Sequence, residues 1–462
     1  MVGVEVDRVE QNRLLEYLDL FGALIGDTRT QRTFGGVIGG ILGAGSLCCA
    51  RIAASSPTLA SAGSAGERRV RRMIGGDSTK RSVLTEEALV GTLQLRGVQQ
   101  LAGADEVWIA LDMSELRKPY AQAMEALMDV RTLKGERLVP GYRTLTALGM
   151  SRGGRRGILY HHLFSSHATE FVSEPQEIHS ALASIHETLG TQAGPVTYLL
   201  DRGFDDDEVW GRIWTQNEHL VCRVKHFERL VLHQDGEGVW SKAPLSHLQS
   251  QVRHLAECKT EMLVRKQGQK REKRQEVIAR IAACPVRVWY RPPGAPRYPS
   301  ARQQKDVWLV RVELHGAVLE DWWLLTDWPI TDVKSAMRVF RQYRQRWAVE
   351  DAFKFAKDVL GWEDMQLLNF EHVQTLSALG WIAAGFLYEL GLGLEEPAIN
   401  FLIRLAGGEV RPNRPPGRTI LTRGLRRLLD HFVVDDFLHR ERQKGPLPPQ
   451  IAVLLRERSL LN

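Results

Sequence analysis

YRQRWAVEDAFKFAK, residues 343–357, contains neither glycine nor proline and reads as one helix. Tyr343, Arg346, Glu350 and Lys357 stand at offsets of 0, 3, 7 and 14. At about 100° per residue they fall within an arc of roughly 60°. Trp347 and Lys354 point close to the same way, with Asp351 and Asp358 on the flank. Ala348, Val349, Ala352, Phe355, Ala356 and Val359 gather on the opposite side, an apolar back for a core. A front of Tyr, Arg, Glu and Lys is most often a wet surface, and such surfaces usually alternate charge. This one surrounds Glu350 with groups that grip phosphate. That suits metal-assisted phosphoryl transfer on DNA, provided two more carboxylates occur in suitable settings.

Two such settings exist. EVWIALD, residues 106–112, is a short apolar run ending in Asp112. It reads as a buried strand that delivers a carboxylate at its carboxyl end, with a turn or capping Asp as the alternative. GPVTYLLDRGFDDD, residues 194–207, repeats the pattern: VTYLL is β-rich and Asp201 closes it. Asp205, Asp206 and Asp207 follow at the start of a helix expected over 205–216, where capping explains them better than metal binding. HLVCRVK, residues 219–225, reads as the next strand, with Arg223 and Lys225 on one face by period two. Asp112, Asp201 and Glu350 together make a hard-oxygen donor set suited to Mg²⁺ or Mn²⁺. Two such ions roughly 3.5–4 Å apart can activate water and stabilise a leaving oxygen. His161 and His162 sit in a strand-like run, ILYHHLFSS, facing opposite ways. No third ligand is spaced with them, so they read as packing or surface groups.

The interval from Asp112 to Asp201 is 201 − 112 = 89 residues, and from Asp201 to Glu350 it is 350 − 201 = 149. Residues 226–330 account for the longer one. VRVWYRP, DVWLVRVEL and EDWWLLTDW are rich in Val, Trp and Tyr and read as β, around a charged stretch, RKQGQKREKRQEVIARI (265–281), that reads as helical. Tryptophans in such an insert are usually core, though with Arg and Lys they can also stack on DNA bases.

The chain has 462 residues, 25% of them charged, and a formal net charge of +6. This is ordinary for a soluble globular protein and compatible with nucleic acid. Five cysteines without zinc spacing predict free thiols in a reducing compartment. Glu5, Asp7, Arg8 and Glu10 argue against a signal peptide. The uncharged Gly-rich run from Thr33 to Ala50 reads as a packed helix pair rather than a membrane span. A basic run holds Arg68, Arg69, Arg71, Arg72, Lys80 and Arg81, a phosphate footprint or a solvated helix. The apolar run from Asn369 to Leu390 reads as a buried helix. The expected organisation is a helical domain over 1–100, the first part of an α/β core over 101–225, and a β-rich insertion over 226–330. The core then resumes over 331–395, and a basic helical tail over 396–462 is a dimer or DNA contact.

Tyr343-x2-Arg346-x3-Glu350-x6-Lys357 resembles the YREK signature of the DDE insertion-sequence transposases that cut DNA through hairpin ends. IALDMSELRKPYA (109–121), LLDRGF (199–204), RVKH (223–226) and WWLLTDWP (322–329) also look like that family. The resemblance implies a ribonuclease-H-like core interrupted by a β-rich insertion, with Asp112, Asp201 and Glu350 as the metal triad for two Mg²⁺ or Mn²⁺ ions. It assigns Tyr343, Arg346 and Lys357 to DNA phosphate, with Lys354 and Arg223 as further DNA contacts. Hairpin formation requires a base out of the stack; Trp322 matches the stacking position and Trp347 the wedge. The implied partners are double-stranded DNA, as terminal repeats and target, and a second copy of the chain. The implied location is the nucleoid of the cytoplasm, with no membrane. A metal-dependent nuclease without strand transfer and a non-catalytic DNA-binding derivative are the alternative readings.

Overall fold

The computed structural model describes residues 13–446 except 61–62, 77–83, 133–134, 136, 191–193, 235–237, 265–272, 317–319 and 412–415. Lys80 and Arg81 of the basic run lie outside the described residues. The architecture is mixed α/β, built on one large mixed sheet.

The sheet begins with β1 (Val107–Arg117), β2 (Met128–Arg131), β3 (Leu138–Ser151) and β4 (Arg156–Phe164). β1 pairs antiparallel with β3, and β3 pairs antiparallel with both β2 and β4. Helix α5 (Glu174–Leu189) then carries the chain over to β5 (Val196–Leu200), which is parallel to β1. Helix α6 (Asp207–Thr215) leads to β6 (His219–Arg223), parallel to β5. Ser173 caps α5 through the Gln176 N–H, and Asp206 caps α6 through the N–H groups of Glu208 and Val209. Asp205 is not a cap. Its buried carboxylate accepts from the N–H groups of Lys225 and His226 and pairs with Arg229 at 2.6 Å.

Residues 226–330 extend the same sheet. β7 (Leu230–Gln234), β8 (Trp240–Pro244), β9 (Arg253–Val264), β10 (Lys273–Tyr290), β11 (Gln303–His315) and β12 (Trp322–Thr326) follow in sequence. β12 pairs antiparallel with β6, then β11 with β12 and β10 with β11. The helix expected over 265–281 is therefore wrong where the chain is described: from Lys273 onward it is strand β10. Lys, Arg, Glu and Gln favour helix locally, but pairing with β9 on one side and β11 on the other decides the outcome.

Helices cover both faces of the sheet. On one side lie a helical stretch over 13–22, α1 (Thr28–Ala44), α2 (Cys49–Ala54) and α3 (Ser64–Gly75). They share a continuous core with α7 (Val333–Arg344), α8 (Trp347–Asp358) and α9 (Phe370–Gly393). Tyr17 Oη donates to the Ile382 carbonyl of α9 at 2.9 Å. α5 and α6 pack on the other face with Ile109, Leu111, Tyr198 and Leu200. Helix α4 (Glu86–Leu101) crosses β4 at Gly97, where a Cβ would overlap the Ile158 carbonyl. α9 is the one described helix long and apolar enough to cross a membrane, and it is mostly buried within the fold. Helices α10 (Glu396–Leu405) and α11 (Arg418–Lys444) complete the described chain.

Candidate active site

Two strand neighbours bring the first two carboxylates together. In the parallel pair, Val107 faces Val196 and Ala110 faces Leu199, an offset of 196 − 107 = 89. Carried two residues further, the same offset sets Asp112 beside Asp201, since 112 + 89 = 201. Adjacent strands stand about 4.8 Å apart. Side chains alternate along a strand. Ala110 and Leu199 belong to the core on the α7–α9 side, so Asp112 and Asp201, two residues on, turn to that same side. Asp112 is not the end of its strand, contrary to the sequence expectation: β1 runs on to Arg117, held by β3, and only the pairing with β5 stops before Asp112. Asp201 caps the turn that follows β5, accepting from the Gly203 N–H at 2.7 Å.

The third carboxylate arrives on α8. The stretch 343–357 is not a single helix. α7 ends at Arg344 and α8 starts at Trp347. Between them the ladder tightens: Gln345 N–H donates to Gln342, Arg346 to Tyr343, Ala348 to Gln345 and Val349 to Arg346. Such i→i−3 bonding advances about 120° per residue rather than about 100°. Tyr343 and Glu350 are consequently rotated away from a shared face. Tyr343 is buried at 4% exposure against Trp322, while Glu350 is exposed in the first turn of α8, where the helix dipole favours an acid.

Arg346 sits at this joint and links the acids. Its guanidinium lies 3.5 Å from Asp112 Oδ2 and hydrogen-bonds Glu350. Burial first, then the Asp201 charge, push the Asp112 carboxyl up to about 7; Glu350 adds to the rise and Arg346 opposes it. Asp112 therefore feels both other acids, and Arg346 is the cation between it and Glu350. No group of three or more His, Cys, Asp or Glu side chains among the described residues is gathered tightly enough to hold a metal ion. The donor set itself, three carboxylates, fits a hard divalent cation in chemistry, with Arg346 displaced from between Asp112 and Glu350.

Lys357, in the last turn of α8, donates to Ser114 Oγ at 3.0 Å and lies 3.9 Å from Glu363. Burial and the nearby Arg117 pull its pKa down, against Glu363. Lys354 is exposed on α8. Arg223, at the end of β6, pairs with Glu320 at 3.2 Å, and burial lowers its pKa. Burial raises the pKa of Tyr343, against the charges of Arg346 and Arg223.

Trp322 is 3% exposed on β12, enclosed by Phe340, Tyr343 and Trp347 at ring separations of 5.9, 5.4 and 5.3 Å. Trp347, the first residue of α8, is 37% exposed and stands edge-on to Trp322. The two rings are thus in contact, with Trp347 on the solvent side. His161 is a core group held between Thr146 and Ser377, and His162 pairs with Glu86, as the strand pattern suggested.

Sequence reasoning missed Ser114 and Glu363. The alternation Asp112-x-Ser114 was the available signal for the first; nothing local marked the second.

Residues 161–384 match a family described as "Transposase DDE domain". The matched span includes Asp201 and the whole stretch 343–357, while Asp112 precedes it. This similarity supports a DDE transposase. No curated protein matches the chain.

Proposed function

We propose that the chain is a cut-and-paste transposase of an insertion sequence, of the hairpin-forming YREK type. The observation that carries the reading is the acid cluster. The β1–β5 register, extended two residues past its last pair, would set Asp112 level with Asp201, whose charge Asp112 feels, and Arg346 ties Glu350 to Asp112. The strand order β4-β3-β1-β5-β6, antiparallel through β1 and parallel beyond it, supports a ribonuclease-H-like core, with residues 226–330 as its insertion. The transposase family match adds to this.

Asp112, Asp201 and Glu350 would hold two Mg²⁺ or Mn²⁺ ions. Such ions supply Lewis-acid stabilisation of a phosphoryl oxygen and a nucleophile at neutral pH. The chain's own residues do the positioning, which is most of phosphoryl-transfer catalysis. Arg346 passes from the carboxylates to the DNA phosphate when the duplex end enters. Lys357 binds a phosphate from the far end of α8, Tyr343 lines the inner wall, and Arg223 and Lys354 extend the cationic track. Trp347 wedges the base out and Trp322 receives it once Trp347 has moved aside. Water opens one strand at each element end, the freed 3′ hydroxyl attacks the opposite strand to form a hairpin, water reopens it, and the 3′ hydroxyl then attacks target DNA. A dimer holding two ends in the nucleoid completes the reading.

Glu350→Gln should abolish nicking of end DNA while leaving binding intact; normal nicking in that variant refutes the assignment. Offering pre-cut ends and a target duplex separates this from a nuclease, which cuts but joins nothing.

A further inference from the structure

We propose that Ser114 and Glu363 are positioning residues for Lys357, fixing its ammonium one pleat repeat from Asp112 along β1 before DNA arrives. The proposal rests on the reading of Lys357 as a phosphate contact.

A surface lysine carries about 2 kcal/mol of rotamer entropy. Lys357 has surrendered much of that freedom: its side chain is 16% exposed and its Nζ is tied to Ser114 Oγ at 3.0 Å. Ser114 shares a face of β1 with Asp112, and residues i and i+2 of a strand stand about 6.6 Å apart. The contact therefore sets a fixed spacing between the ammonium and the acid cluster. An ammonium has three donors. Ser114 takes one, and Glu363, at 3.9 Å, attracts the ammonium by charge without a hydrogen bond, which leaves donors for phosphate oxygens.

Glu363 can act this way because its turn is fastened from several directions. The turn opens at Gly361 with φ 59°, a left-handed conformation that favours glycine. Trp362 Nε1 donates to Ser377 Oγ at 2.9 Å, and Ser46 Oγ donates to Asp364 at 2.6 Å. Lys118 Nζ, on a side chain buried beneath the turn, donates to the carbonyls of Glu363 and Met365, both at 2.6 Å. The Arg117 N–H reaches the Glu363 carboxylate at 3.4 Å and its guanidinium at 3.7 Å. Glu363 is thereby shared between Arg117 and Lys357. It draws the ammonium without capturing it, and the site is organised in advance of its ligand.

The test is a double-mutant cycle on binding of a duplex carrying the element end, with melting temperature as the control for folding. Lys357→Gln should weaken binding and reduce the slope of log K against log salt by about 1. Ser114→Ala should weaken binding about 5-fold with the slope unchanged, and Ser114→Thr, which keeps the hydroxyl, should restore it. In the Lys357→Gln background Ser114→Ala should cost nothing further. An equal cost in both backgrounds overturns the proposal. A second reading needs no DNA: the ¹⁵N signal of the Lys357 ammonium, identified by its loss in Lys357→Gln, should vanish in Ser114→Ala and weaken in Glu363→Gln. Its survival in both variants overturns the positioning contact. Unchanged affinity and slope in Lys357→Gln overturn the phosphate role itself, and the proposal with it.

Discussion

At the scale of single residues, Asp112 and Arg346 are in tension. An unperturbed Asp carboxyl titrates near 3.9, and in the folded chain Asp112 titrates at about 7. Between those values the folded state holds a proton that the unfolded state has released. Stability therefore falls as pH rises from about 4 to about 7, and the penalty is fully present above that. Asp112→Asn should match the wild-type stability below pH 4 and increasingly exceed it from pH 4 to 7, by at most about 4 kcal/mol, with a matching rise in melting temperature. Adding Mg²⁺ at pH 8 should raise the wild-type melting temperature and close the gap; a variant that melts no higher at pH 8 contradicts the burial argument. Arg346→Gln removes the cation that bridges Asp112 and Glu350. Calorimetry should then find Mn²⁺ binding without DNA tightened, by about 1 kcal/mol or roughly 5-fold, while end cleavage falls. Loss of Mn²⁺ binding instead would mean that Arg346 organises the acids rather than shielding them.

At the scale of elements, the joint between α7 and α8 governs how the two tryptophans behave. Trp322 is enclosed, so Trp322→Ala should cost about 3–5 kcal/mol of stability and, among the molecules that stay folded, slow hairpin formation more than the first nick; equal loss of both steps would leave it a folding role only. Trp347 is half outside, so Trp347→Ala should keep the fold and the first nick but slow hairpin formation, as read on a denaturing gel. Equal loss of both steps in Trp347→Ala would remove its wedge role. The same joint marks where the sequence could and could not be read. β1, β5 and β6 were legible because apolar runs end on polar residues, and α6 because acids open it, with Asp206 as its cap. Asp112, Asp201 and Glu350 stood out as acids in those settings. The joint at Gln345–Arg346 carries no glycine or proline; packing of Phe340 and Tyr343 on Trp322 accompanies it, and that is a tertiary contact. Strand β10 was hidden by its helix-favouring Lys, Arg, Glu and Gln residues. Glu363 was hidden because its partners Arg117 and Lys118 lie some 245 residues earlier.

At the scale of the molecule, the N-terminal helices share their core with α9 and present Arg68 and Arg69, both exposed, on the outer side of α3. Converting both to Ala should reduce the salt slope of DNA binding by about 1 for each phosphate no longer neutralised, with little change in melting temperature; an unchanged slope would leave that helix as plain solvated surface. The sheet has a different lesson. Because β12 is the neighbour of β6, the strands inserted between Arg223 and Ile330 cover the lateral border of the sheet that carries Asp112 and Asp201. Amputating them would not yield a minimal enzyme. It would bare the hydrogen-bonding row of Val221, Cys222 and Arg223, and a raw strand border of that kind recruits other chains. The excised protein should go to inclusion bodies, and any ancestor that lacked the extra strands must have protected that border with something else.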